Sequence, residues 1–208
     1  MSIFRGSLTY VRFFVTDDVP DGFEGRALGQ IQKKVQRPLT ADDDDAERSG
    51  WCKVADPFGL ELEHMDVFYN EYVNLGFRTD RWAIPGALLK SKVGEAEQAY
   101  LAKKGRERLS RKEKTELKEL VARKLRRNLV PQVRVNDMSW ATNEGVVRFF
   151  GTSPRVCLAF TDLFTKTFGL SLVQEAPYTL ADRLGLSKAE AAALAETEPQ
   201  VLSKAEED

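Results

Sequence analysis

The chain has 208 residues, of which 42% are hydrophobic and 30% are charged, and its formal net charge is −1 at neutral pH. This composition is typical of a folded globular protein and excludes a disordered or collagen-like chain. No apolar run approaches the roughly 18–20 residues that a membrane-spanning helix needs, and the N-terminal sequence lacks the apolar core of a signal peptide. The only cysteines, Cys52 and Cys157, offer no disulfide framework. We therefore expect a cytoplasmic protein with no membrane association.

Residues 1–85 predict an N-terminal α+β lobe. The segment 6–15 has the β-branched and aromatic content of a strand. Apolar residues then recur at helical spacing from Phe23 to Val35, which predicts a helix. The run "ADDDDAE" (41–47) predicts a solvated acidic loop. Three further strands are expected near 50–55, 67–73 and 76–84.

Two charged helices are predicted next, and together they form a segment that we call the arm (86–130). The first helix is expected at 87–104. The second begins after Ser110, which forms an S-x-x-E capping box with Glu113, and Pro131 ends it. An apolar stripe is expected to hold the second helix to the core, and it consists of Leu117, Leu120, Val121, Leu125 and Leu129.

Residues 131–176 predict a second β-rich lobe. A hairpin is expected around "ATNEG" (141–145), followed by a helix that begins after Ser153, with Pro154 at its first position, and ends at Gly169. A strand at 170–176 and an acidic tail (177–208) with a capped helix at 187–196 complete the chain. The prediction is an α+β fold in which two β-rich lobes are linked by a projecting arm.

Positive charge is concentrated in the arm. Gly86–Val130 holds 14 basic and 6 acidic residues, a net of +8, so the remaining residues sum to −9. Local Glu–Lys support at i,i+4 spacing predicts the pairs Lys112 with Glu116 and Glu119 with Arg123. These pairs leave a large excess of positive charge unexplained.

This excess predicts contact with a polyanion. Arg111, Lys114 and Lys118 lie on one helix face at i+3 and i+4 spacing, which suits phosphates along double-stranded DNA. A partner protein with an acidic groove is the alternative. The candidate DNA-binding residues are Lys103, Lys104, Arg106, Arg108, Arg111, Lys112, Lys114, Lys118, Arg123, Lys124, Arg126 and Arg127.

Other chemistry has weaker support. The stretch "ELEHMD" brings Glu61, Glu63, His64 and Asp66 together, so a metal-dependent nuclease is a third hypothesis, but the pattern fits a solvated loop better. The glycines form no phosphate-binding motif, and no nucleophile has a credible base. We expect no catalysis, cofactor or metal. The three tryptophans lie in predicted strands and are expected in the core rather than in a base-stacking platform.

The ordered set of motifs resembles the RdgC family of bacterial recombination-associated proteins. A Gly-Trp strand comes before a lysine-rich helix pair, then a Trp-bearing hairpin, then a helix that leads into a leucine-rich strand. The matching stretches are "SGWCKV", "WAIPGALLKSKVGEAE", "RLSRKEKTELKELVARKLRRNLVP", "DMSWATNEGVV" and "LAFTDLFTKTFGLSLV".

The resemblance implies a non-catalytic protein of the nucleoid that binds double-stranded DNA with little sequence dependence. Family members are homodimers that enclose DNA in a basic-lined ring and restrain RecA-promoted strand exchange. The basic residues of the arm match the charged helix pair of the family, which implies that they contact DNA. Family members continue beyond the position that matches Ala176, so the resemblance leaves ring closure by this chain open.

Overall fold

The computed structural model describes residues 8–20 and 22–197. The chain is an α+β protein, as predicted. Within the described residues the strands are β1 (Val11–Val15), β2 (Glu47–Cys52), β3 (Phe68–Tyr69), β4 (Tyr72–Arg81), β5 (Gln132–Ala141), β6 (Val146–Phe149) and β7 (Leu172–Gln174). The helices are α1 (Phe23–Lys33), α2 (His64–Val67), α3 (Gly86–Lys104), α4 (Arg111–Arg126), α5 (Pro154–Phe168), α6 (Pro177–Arg183) and α7 (Lys188–Glu196).

The strands form one antiparallel sheet in the order β2-β4-β5-β6-β1-β7, with β3 added beside β4. The strands of both predicted lobes lie in this sheet, because β5 pairs with β4 and β6 pairs with β1. A separation into two lobes is therefore not confirmed. Among the described residues, no helix is long and apolar enough to cross a lipid bilayer.

The hydrophobic core lies between one face of the sheet and helices α1 and α5. Phe160 of α5 is fully buried, and its ring stacks on Phe149 of β6 with a centroid distance of 4.0 Å. The indole of Trp51 donates a buried hydrogen bond to Thr167 Oγ1 at 2.8 Å, which joins β2 to the end of α5. All three tryptophans are buried, as predicted.

Most predicted elements are confirmed, but three differ. The single strand expected at 67–73 is instead a hairpin, in which β3 is joined to the start of β4 by a tight turn with Asn70 in a left-handed conformation at φ 51°. The stretch "ELEHMD" (61–66) was expected to be a solvated loop, but it contains the start of α2, which Glu63 and Asp66 cap. The tail has α6 in addition to the predicted α7. Strand residues 6 and 7 and tail residues 198–208 lie outside the described part of the chain.

Position 50, just before Trp51 in β2, requires glycine for a steric reason. A Cβ atom at Gly50 would lie 2.7 Å from the backbone of Gln36, closer than real Cβ atoms approach. The segment after α1 approaches β2 here because Trp51 exchanges backbone hydrogen bonds with Lys34 and Gln36. The glycine thus permits a covered sheet edge, which protects β2 from pairing with another chain.

The arm is an insertion between two paired strands. β4 and β5 pair over ten residues each, from Tyr72 with Ala141 to Arg81 with Gln132. Helices α3 and α4 connect Arg81 to Gln132 and pack against each other. Both ends of the arm are therefore fixed side by side, and the connection at 105–110 lies at the far end, which we call the tip.

The core assignment predicts a large difference between two positions on α5. Phe160→Ala should lower the free energy of unfolding by about 3–5 kcal/mol, because it empties a fully buried aromatic site. Leu158→Ala, at a side chain that is 72% exposed, should change it by less than about 0.5 kcal/mol. Urea denaturation measures both changes. Equal decreases in the two variants would contradict the packing described here.

Candidate nucleic-acid interface

The arm is a helical hairpin, and short sequence signals mark the end of α3 and the start of α4. The Ser110 amide donates to Glu113 Oε2 at 2.8 Å and the Glu113 amide donates to Ser110 Oγ at 3.2 Å, which completes the predicted capping box. Gly105, in a left-handed conformation at φ 61°, ends α3. Its backbone amide bonds to Leu101 O. These two signals fix where the chain reverses direction at the tip.

Eleven of the twelve candidate DNA-binding residues are exposed, and Arg126 is half-buried. They divide into three groups according to their partners. Six form no ion pair or side-chain hydrogen bond with any described residue, and these are Lys103, Lys104, Arg108, Arg111, Lys118 and Lys124. Four of the six, from Lys103 to Arg111, lie at the tip or in the turns beside it. The tip therefore combines exposed positive charge with few partners.

Three candidates pair with carboxylates of the arm itself. Arg106 lies 3.3 Å from Glu113, and Lys112 lies 3.9 Å from Glu116 as predicted. Lys114 lies 4.0 Å from Glu97 of α3, so this ion pair joins the two helices. Exposed pairs of this kind contribute little to stability. They are weak enough for a stronger anion to replace the carboxylate.

The remaining three candidates contact the acidic loop of the N-terminal part. Arg123 Nη2 donates to Asp44 Oδ1 at 2.5 Å, Arg126 Nη1 donates to the Asp43 carbonyl at 2.8 Å, and Arg127 Nη2 donates to Asp42 Oδ1 at 3.1 Å. The acidic loop is largely exposed, as predicted, but its contacts with these arginines were not predicted. The predicted pair of Arg123 with Glu119 is not formed, because Arg123 reaches Asp44 instead. We call this set of hydrogen bonds the clasp.

The loop is held in shape by Asp43. Its carboxylate accepts hydrogen bonds from the Thr40 amide at 2.6 Å and the Thr40 hydroxyl at 3.0 Å, and it pairs with Arg48 at 3.0 Å. The bond from the Thr40 amide is the largest cause that holds the pKa of Asp43 below its ordinary value, followed by the bond from Arg48. With Asp43 turned inward, Asp42 and Asp44 point to the arginines of α4.

The apolar stripe of α4 is narrower than predicted. Val121 is buried, and Leu117, Leu125 and Leu129 are half-buried, whereas Leu120 is 50% exposed. The expectation that Leu120 belongs to the core is therefore wrong. Leu120 and Leu117 instead line an open groove of about 270 Å³ between the two helices, together with Tyr100 and Leu109.

Asp66, in the stretch "ELEHMD", has structural partners. Asp66 accepts a hydrogen bond from the Glu63 amide at 2.8 Å and pairs with Lys53 at 2.9 Å. Among the described residues, no group of three or more His, Cys, Asp or Glu side chains is placed so that it could hold a metal ion. Burial raises the pKa of the Cys52 thiol to about 12, so this thiol is protonated at neutral pH.

Sequence reasoning missed two features of this region. It did not connect Asp42 and Asp44 with α4, because 79 and 85 residues separate the paired positions. It also passed over Arg81, Arg134 and Arg155, which line one cavity where the arm meets the sheet. Isolated arginines in strands and at helix starts carry no local signal, and only the strand register brings these three together.

Comparison of the chain with models of known protein families and with curated proteins finds no match. The resemblance to the RdgC family therefore stays an expectation from the sequence.

The lowered pKa of Asp43 predicts that the loop weakens in acid. A carboxylate with a lower pKa in the folded than in the unfolded chain contributes stability above the unfolded pKa, and this stability is lost as the pH falls through the folded value. We expect Asp43→Asn to be less stable than the wild type at neutral pH, with a difference that shrinks as the pH falls below about 4. Thermal unfolding from neutral to acidic pH measures this difference, and a difference independent of pH would contradict the assignment.

Proposed function

We propose that this protein binds double-stranded DNA through the arm, without catalysing a reaction and with little sequence preference. The observation that carries the proposal is the group of exposed basic side chains at and beside the tip that lack a partner among the described residues. Duplex DNA presents a closely spaced row of phosphates, and each phosphate that a Lys or Arg neutralises releases bound counterions. An arm that projects from the sheet offers these side chains to such a polymer.

The types of residue at the candidate positions also favour DNA binding with little preference for sequence. Exposed Lys and Arg side chains contact phosphates, which position a protein on DNA, whereas base edges are read in the grooves by dedicated groups. The candidate residues of the arm are all Lys or Arg. All three tryptophans are buried, so they cannot serve as stacking platforms for single strands. Duplex DNA is therefore the polyanion that these residues suit best.

The biological setting rests on the resemblance to the RdgC family. On that basis the protein would associate with the nucleoid as a homodimer and restrain access of RecA to DNA. The arm supplies the basic surface that such a role requires.

The clasp divides the basic residues of the arm into two sets that differ in how easily a phosphate can reach them. Arg123 and Arg127 already bind carboxylates, so phosphates must displace Asp44 and Asp42 to reach them. At the tip, Arg106 pairs with Glu113, but Arg108 has no ion pair or side-chain hydrogen bond with a described residue, and neither have Lys103, Lys104 and Arg111 beside the tip. We therefore assign first contact with DNA to the tip, and binding by the clasped arginines to a step that opens the loop.

One observation favours a second candidate function, an interaction module for an acidic partner protein. The groove lined by Leu117 and Leu120 exposes apolar surface beside the basic residues, and protein interfaces combine these two features. A partner protein would bury Leu120, whereas a phosphate backbone would not. Leu120→Gln should therefore weaken partner binding and leave duplex binding unchanged.

The tip assignment predicts the effect of removing charge there. The triple variant Lys104→Gln, Arg108→Gln and Arg111→Gln, which removes charge at and beside the tip, should bind duplex DNA more weakly than the wild type. The slope of log K against log salt should become shallower by about 0.9 for each phosphate that is no longer neutralised. Gln has a helix propensity close to that of Lys and Arg, so the fold should persist. Fluorescence anisotropy with a labelled duplex at several salt concentrations measures both quantities.

A matched control removes the same charges elsewhere. Lys33, Arg37 and Lys188 are exposed and form no ion pair with a described residue, and their triple replacement by Gln leaves the arm intact. This control should retain the wild-type affinity apart from the small effect of net charge. An equal decrease in affinity in both triple variants would show that the arm is not the DNA surface.

If the clasp masks Arg123 and Arg127, removal of its carboxylates should increase binding to duplex DNA. In the double variant Asp42→Asn and Asp44→Asn, the freed Arg123 and Arg127 become available to phosphates, so duplex affinity should rise. The salt slope should steepen by up to about 1.8, because two further phosphates can be neutralised. Asp17→Asn with Asp18→Asn removes the same charge outside the loop and serves as the control. Reduced affinity in the loop variant alone would mean that the loop positions the arm instead of masking it.

A further inference from the structure

A cavity of about 230 Å³ lies where the arm meets the sheet, and we call it the arm-root cavity. Its floor is the end of β4 and the start of β5, where Thr79 pairs with Arg134 and Arg81 pairs with Gln132. The first turn of α5 closes one side with Ser153 and Arg155. Because side chains alternate along a strand, Arg81 and Arg134 both project on the sheet face that carries α5.

Positive charge exceeds negative charge in this cavity. Three arginines line it, and the single carboxylate is that of Glu47. Glu47 Oε2 lies 2.9 Å from Arg155 Nη2 and 3.8 Å from Arg81 Nε, so one carboxylate serves two guanidinium groups. Arg134 forms no side-chain hydrogen bond or ion pair with any described residue. The guanidinium groups therefore retain donors for an additional anion.

The start of α5 adds to this preference for anions. The helix has 15 residues, and the side chain of its N-cap residue, Ser153, makes no capping hydrogen bond. The N-terminus of a helix carries a partial positive charge and unpaired amide donors, which favour a phosphate group. Arginine is the side chain best suited to hold a phosphate, because its planar fork can donate two parallel hydrogen bonds.

We propose that the arm-root cavity binds a phosphate group through Arg81, Arg134 and Arg155, and that in the complex this phosphate belongs to the backbone of the DNA held by the arm. The second part of the proposal rests on the proposed function. Glu47 acts as the resident anion, and the incoming phosphate replaces it at Arg155. The cavity lies at the point where the arm leaves and rejoins the sheet, so the DNA surface would extend from the tip of the arm to its base.

Inorganic phosphate tests the first part without DNA. In a titration at constant ionic strength followed by NMR, the Arg81, Arg134 and Arg155 side-chain Nε–H signals and the Val156 amide should shift with saturation. Arg134→Gln with Arg155→Gln should abolish the shifts, whereas Arg37→Gln should retain them. Glu47→Gln should bind phosphate more tightly, because the competing carboxylate is gone. An absence of shifts in both the wild type and Glu47→Gln would overturn the site.

Duplex binding tests the second part. Arg134→Gln with Arg155→Gln should lower duplex affinity and reduce the salt slope by about 0.9 for each phosphate that these arginines no longer neutralise. Phosphate binding by the wild type together with unchanged duplex affinity in the double variant would overturn the DNA assignment and identify a site for free phosphate. If the wild type binds no duplex, the proposed function fails, while the phosphate titration still decides whether the cavity binds anions.

Discussion

The ten-residue pairing of β4 with β5 is the constraint on which the arrangement of this protein depends. The two strands lie inside the sheet, with β2 beyond β4 and β6 beyond β5. Since the arm connects the ends of this pair, the pairing fixes Arg81 and Gln132, where the chain leaves and rejoins the sheet. The arm-root cavity forms at the same place, because the register sets Arg81 and Arg134 on one face beside α5. The position of the two ends of the arm and the position of the cavity therefore follow from one pairing.

Electrostatics then distinguish the two ends of the arm. Near the base, Asp42 and Asp44 supply carboxylates to α4, and Asp43 keeps the loop in the shape that presents them. At and beside the tip, Lys103, Lys104, Arg108 and Arg111 are exposed and lack ion-pair partners among the described residues. Exposed ion pairs contribute little to stability, so the clasp limits access to arginines more than it stabilises the fold. The net charge of the whole chain, −1, does not reveal this difference between the base and the tip of the arm.

Local signals allowed much of the fold to be predicted. The capping box of Ser110 and Glu113, the Ser153–Pro154 start of α5 and the stop at Gly169 depend on neighbouring residues, and all are confirmed. Features that depend on distant residues could not be predicted in this way. The single sheet requires the register between β4 and β5, and the clasp joins positions about 80 residues apart in the chain. Leu120 fits the helical period of the stripe, yet it lies at the edge of the buried face.

The salt dependence of binding by the wild-type chain tests the proposed binding of double-stranded DNA most directly. Binding of a labelled duplex of arbitrary sequence would be measured at a series of monovalent salt concentrations, with a single strand of equal length for comparison. We predict that log K falls linearly with log salt, with a slope of about −0.9 for each phosphate neutralised, and that the duplex binds more tightly than the single strand. An absence of duplex binding at low salt, or an affinity independent of salt, would contradict the proposed function.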